Sequence, residues 1–101
     1  MIRLIDVHIL KPYELVCKFN NGDERLLHVL PIINQQLHIE GVSDLLNEKN
    51  FANVEVGELG EITWRKIVKT KNNGIVEFWD YDISPEFAFY NSVEFNSIKT
   101  A

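Results

Sequence analysis

Four side chains in this chain have the chemistry of metal ligands or of a nucleophile with its base: His8, His28, His38 and Cys17. Zinc sites draw on Cys and His in tight pairs, and these four residues are spread without such pairing. Cys17 sits inside an extended segment rather than at a helix N-terminus, so nothing local favours its thiolate. His28 can approach it across a hairpin, yet no third group orients the imidazole as a base. The expected role of Cys17 is that of a small buried apolar residue. Asp80, Asp82 and Glu86, beside Ser84, form an acidic edge. A calcium-like cation takes about six to eight oxygen ligands, which this edge does not supply. Asp82 is instead expected to pair with Arg65, and Glu86 to favour the start of a helix. The third group is the run Arg65-Lys66-Ile67-Val68-Lys69-Thr70-Lys71 next to Trp64. Basic residues beside an aromatic suit nucleic acid. Strand alternation, however, points Lys66 away from Arg65, Lys69 and Lys71, and the returning strand adds Glu77, Asp80 and Asp82.

The elements that must hold these groups are mostly strands. Ile2 to Ile9 reads as a strand with Ile5, Val7 and Ile9 on one face and Leu4 on the other. Lys11-Pro12 interrupts it. Tyr13 to Phe19 alternates again, and Asn21-Gly22 follows as a hairpin signal, since both residues tolerate positive φ. A two-residue turn there sets Cys17 opposite Leu26 and Leu15 opposite His28. Leu15, Cys17, Phe19 and Leu26 then share a face, with Val16, Leu27 and Val29 on the other. Apolar groups on both faces leave open a helix-covered sheet, a closed curved sheet or a partner surface.

Pro31 to Gln36 suits a short helical turn opened by proline. Asn47 can cap a helix through Phe51, with Glu48 in its first turn. Asn53 to Val56 reads as a strand, and Gly57 and Gly60 bracket a turn. Ile62 to Thr70 and Ile75 to Ile83 make the longest hairpin. An Asn73-Gly74 turn sets Trp64 opposite Ile83, Val68 opposite Trp79 and Lys66 opposite Tyr81, an aromatic core layer. On the other face Arg65 meets Asp82, Ile67 meets Asp80 and Lys69 meets Phe78. Ser84-Pro85-Glu86 combines a capping hydroxyl, a proline at the first helical position and an acidic first turn.

The chain has 101 residues, 46% apolar and 25% charged, with ten basic and fifteen acidic residues giving a net charge of -5. That suits one small ordered domain and gives no general attraction for nucleic acid or anionic lipid. The single cysteine rules out an internal disulfide and fits a reducing compartment, so a cytoplasmic location is expected. No leader-like segment or membrane-spanning apolar run stands out. The predicted fold is α+β: one small strand-rich domain over 1–101 with two Asn-Gly hairpins and two or three short helices. Its core covers about 2–91, followed by a short polar C-terminal tail.

The order of elements resembles a bacterial family of small proteins known as domain of unknown function 2442. The resemblance rests on Phe19-Asn20-Asn21-Gly22-Asp23, His28-Val29-Leu30-Pro31-Ile32-Ile33 and Asn50-Phe51-Ala52-Asn53-Val54. It continues in Gly60-Glu61-Ile62-Thr63-Trp64 and Asp82-Ile83-Ser84-Pro85-Glu86-Phe87, and spans roughly residues 2–91. Two departures stand out. His28 occupies a place where the family commonly has an acidic residue, and a long charged hairpin separates Trp64 from Asp82 where relatives turn almost at once. The resemblance implies a small α+β domain and supplies no reaction, cofactor or catalytic residue.

The leading functional expectation is a non-catalytic protein-interaction or regulatory accessory module able to self-associate. Its candidate surface is Trp64, Arg65, Ile67, Lys69, Lys71, Val76, Phe78, Asp80 and Asp82. Nucleic-acid binding through Trp64, Arg65, Lys69 and Lys71 is the alternative. A small enzyme or metal protein built on His8, His28 or the carboxylates near Asp82 comes last. No cofactor and no membrane association are expected.

Overall fold

A computed structural model describes residues 1–95. The described residues form a mixed α+β domain with two antiparallel sheets and three short helices. In chain order the elements are β1 (Leu4–Lys11), β2 (Glu14–Phe19), β3 (Glu24–His28), α1 (Leu30–Gln35), a 3₁₀ turn (Val42–Leu46) and α2 (Glu48–Phe51). Then come β4 (Glu55–Val56), β5 (Ile62–Asn72), β6 (Ile75–Ile83), α3 (Pro85–Tyr90) and β7 (Val93–Glu94). One sheet has the order β1-β2-β3-β7 and the other β4-β5-β6. The Leu4 N–H donates to the Gly60 carbonyl at 2.9 Å, tying the start of β1 to the turn between β4 and β5.

Two hairpin details differ from the sequence expectation. The β2–β3 loop contains three residues: the Gly22 N–H donates to the Phe19 carbonyl at 3.0 Å and the Phe19 N–H to the Asp23 carbonyl at 2.9 Å. Gly22 sits at φ +93°, the left-handed position such a loop requires. The extra loop residue slips the register by one, so Cys17 faces Arg25 and Leu15 faces Leu27. Leu27 therefore joins Leu15, Cys17 and Phe19 in the core, while Leu26 moves to the other face. In β1 the pairing shifts between Leu4 and Asp6. This bulge turns Ile5 outward, 58% exposed, and lets Leu4 share the inner face with Val7 and Ile9.

Helix ends follow their local chemistry. The Asn47 side chain accepts from the Lys49 N–H at 2.9 Å and from the Asn50 N–H at 3.4 Å. Ser84 Oγ accepts from the Phe87 N–H at 3.1 Å, with Pro85 opening α3. Beyond residue 91, where a polar tail is expected, Val93 and Glu94 pair with Leu26 and Arg25 as β7. The Arg25 guanidinium holds this end: Nε donates to the Phe89 carbonyl and Ser92 Oγ, and one terminal nitrogen donates to the Ser92 carbonyl at 2.6 Å. The rest of the expected tail, 96–101, lies outside the described residues.

The core lies between the inner face of the four-stranded sheet, the first half of β5 with the end of β6, and the helical segment between them. An aromatic file runs through it. Tyr13 packs on Phe51 at 5.3 Å between ring centroids, Phe51 on Trp64 at 5.5 Å, and Trp64 on Tyr81 at 6.0 Å. Trp64 is fully buried, and its indole N–H donates to the Phe51 carbonyl at 2.8 Å. Such a buried donor needs a partner, and this one joins β5 to α2. Trp64→Phe removes that donor and some core volume; urea denaturation should show a loss of about 2–4 kcal/mol. Gly41, at φ +98°, leaves no room for a Cβ, which would lie 2.0 Å from the Ile67 carbonyl oxygen. Gly41→Ala should cost about 2 kcal/mol or more in the same measurement, combining backbone strain with displacement of β5.

Candidate interaction surface on the β5–β6 arm

The β5–β6 hairpin is two structures joined by a bulge. Around the tip, Asn73 (φ +52°) and Gly74 (φ +80°) make the two-residue turn that the sequence predicts. Asn72 faces Ile75, Lys71 faces Val76, Lys69 faces Phe78 and Val68 faces Trp79, as expected. Below Val68 the register shifts by two: Trp64 faces Tyr81, Thr63 faces Asp82 and Ile62 faces Ile83. The expected pairs Trp64–Ile83, Lys66–Tyr81, Arg65–Asp82 and Ile67–Asp80 therefore do not form. Lys66 adopts φ +55°, and its N–H donates to Asp80 Oδ1 at 3.1 Å. Three residues of β5 thus stand across from Asp80 alone, a bulge that periodicity does not register.

The two halves have different surroundings. Below the bulge, Trp64, Tyr81 and Ile83 are buried. Above it, past the Lys69 N–H bond to the Glu40 carbonyl, the hairpin projects for about 10 Å, at the ordinary rise per strand residue. Ile75 is 64% exposed, Val76 51%, Phe78 50% and Trp79 53%. Cross-strand alternation puts Val76 and Phe78 with Lys69, Lys71, Asp80 and Asp82 on one face. Ile75 and Trp79 lie with Val68, Thr70 and Glu77 on the other. Trp79 is thus a surface residue, steadied by donation from its indole N–H to Thr70 Oγ1 at 2.8 Å, rather than part of the core layer.

The predicted surface residues separate accordingly. Trp64 and Ile67 belong to the core, at 0% and 8% exposed, and cannot meet a partner directly. Arg65, Lys69, Lys71, Val76, Phe78, Asp80 and Asp82 stand together on the charged face. Sequence reading missed Ile75 and Trp79 on the opposite face, and the carboxylates of the β4–β5 turn. Glu55, Glu58 and Glu61 join Asp80 and Asp82 around a groove of about 430 Å³, with Arg65 as the one cation among its described lining residues. Arg65 Nε lies 3.0 Å from Glu55 Oε1 instead of beside Asp82, which accepts from the Thr63 hydroxyl. Lys69 Nζ sits 4.0 Å from Asp44 and 5.9 Å from the Phe78 ring centroid. Two of the four residues of the nucleic-acid reading are thus engaged with carboxylates, and a third is buried.

The remaining chemical candidates are dispersed. His28 lies across from Glu14, with Nδ1 3.2 Å from its carboxylate, and His8 lies 3.9 Å from Asp6. Cys17 is fully buried, and burial pushes its thiol pKa up to about 12. Burial also raises the Tyr81 hydroxyl, which donates to Gln36. Among the described residues no three His, Cys, Asp or Glu side chains are arranged to hold a metal ion. Among the described residues no helix is long and apolar enough to cross a membrane.

The thiol gives a direct measurement. Near neutral pH, Cys17 should resist iodoacetamide in the folded protein and react only through opening or unfolding. Its folded pKa lies above the unfolded value of 9.0, so the unfolded chain loses its proton first as pH rises. Stability should be insensitive to this group below pH 9 and fall between pH 9 and about 12. A Cys17→Ala variant should lack that component, read as a flatter dependence of urea-derived stability on pH.

No protein-family model, curated protein or solved structure matches the chain.

Proposed function

We propose that this chain is a non-catalytic protein-interaction or regulatory accessory module of a bacterial cytoplasm, with the upper β5–β6 hairpin as its docking element. One observation carries the reading. Four large apolar side chains, Ile75, Val76, Phe78 and Trp79, are at least half exposed on the two faces of the upper hairpin. Apolar area gathered in this way is unusual on an isolated soluble domain and marks surfaces used for association. Aromatic anchors flanked by charge are also the usual composition of protein interfaces. The buried, unpaired thiol accords with a reducing compartment. Membership of the domain of unknown function 2442 family is proposed on the order of motifs, with the long hairpin as this chain's own addition.

The test is amine-directed cross-linking in cells expressing the protein, read by mass spectrometry at Lys69 and Lys71. The triple variant Val76→Ser, Phe78→Ser, Trp79→Ser should leave the thermal unfolding midpoint within a few degrees of the parent, because these positions are solvent-facing. It should lose the cross-linked protein products. Products that persist unchanged in the folded triple variant would rule out the arm as the docking element.

A further inference from the structure

The edge of β6, unpaired among the described residues, specifies more than a generally sticky surface. We infer that it accepts an extended basic segment of another protein as an added strand, antiparallel to β6; this rests on the docking role proposed for the arm. The backbone argument begins with Lys69. Its N–H turns away from β6 and donates to the Glu40 carbonyl at 2.9 Å, so the Lys69–Phe78 pair is one that does not exchange ladder hydrogen bonds. The Phe78 N–H and carbonyl therefore point to the free edge, and alternation gives Val76 the same outward groups. A strand added there finds donors and acceptors already in line.

Charge selects the occupant. The charged side chains of β6 are Glu77, Asp80 and Asp82, all acidic. Beside Asp80 and Asp82 lies the groove that also takes in Glu55, Glu58 and Glu61. A second copy offering its own β6 brings acid against acid. Its basic strand, β5, already pairs with β4 along the lower half and bonds to Glu40 at Lys69. A phosphate backbone meets the same repulsion as a second β6. The complementary strand places lysine or arginine beside Asp80, Asp82 and Glu77, and aliphatic side chains beside Val76, Phe78, Ile75 and Trp79. Like charges opposite one another on paired strands destabilise, and opposite charges contribute about 0.2–1 kcal/mol per pair.

A capped octapeptide, Lys-Thr-Lys-Val-Val-Lys-Val-Val, has this pattern and serves as the probe. Titrated into the full chain at low salt, it should shift Trp79 emission and move the Val76 and Phe78 amide resonances. Three changes should each weaken binding by about tenfold, equivalent to about 1.4 kcal/mol. They are glutamate for every lysine in the probe, N-methylation of its edge-bonding amides, and Glu77→Lys in the protein. N-methylation leaves the protein untouched, so its effect does not depend on how a variant folds. Equal affinity for the methylated probe would overturn strand addition, and equal affinity for the glutamate probe would overturn the basic occupant. Dimerisation through β6 in sedimentation, without affinity for the peptide, would assign the edge to a second copy and also overturn it. If cellular cross-links require the arm while the probes fail, only this inference falls; if they are indifferent to the arm, the docking role itself falls.

Discussion

A buried indole N–H must find an acceptor, and at Trp64 that acceptor is the Phe51 carbonyl. The bond fixes where β5 crosses the short helix α2, and the stacked rings of Tyr13, Phe51, Trp64 and Tyr81 carry the constraint from the β1–β2 turn to β6. Leaving such a donor unpaired costs about 1–3 kcal/mol, comparable to the whole margin by which a small domain is stable when a few such losses combine. The two sheets are consequently held in one relation at the level of Trp64. Beyond Lys69, whose N–H bonds to the Glu40 carbonyl, the strand residues at the hairpin tip are exposed.

The change happens at Lys66. Its left-handed backbone and the Asp80 carboxylate that accepts its N–H absorb two residues of β5. Bulges twist and redirect a strand, and here the bulge separates a packed half from a projecting half of one hairpin. The projecting half has an exposed strand edge, a feature that proteins usually shield. Its carboxylates and lysines supply that shielding: Glu77 and Asp80 on β6 discourage pairing with like strands, and Lys69 and Lys71 interrupt the apolar face. The same charges that discourage self-pairing define what a partner must bring. Solubility and selectivity thus come from one arrangement.

Legibility in the sequence follows the range of the determining contact. Asn47, Ser84 and Pro85 act within a turn of their own positions, and the helices begin where these residues say. Asn73-Gly74 sets the register of the upper hairpin because the turn and its flanking pairs are adjacent in the chain. Asn21-Gly22 marks a turn equally well, yet the same pair also serves a three-residue loop. One extra residue then exchanges Leu26 for Leu27 in the core. At Ile5 and Lys66 the bulges answer to contacts with Phe19 and Asp80, which are distant in sequence.

The candidate surface divides along the same line. Residue types and alternation alone determined an α+β domain, two Asn-Gly hairpins, capped helices and a mixed-charge strand pair carrying Val76 and Phe78. Only the tertiary structure decided that Ile67 joins Trp64 in the core while Ile75 and Trp79 face solvent, and that the β4–β5 turn brings Glu55, Glu58 and Glu61 beside Asp80 and Asp82. The physical reason is that alternation assigns a side chain to a face, whereas burial depends on whether another element covers that face. For this hairpin the cover ends just above the bulge, where the Lys69 N–H meets the Glu40 carbonyl.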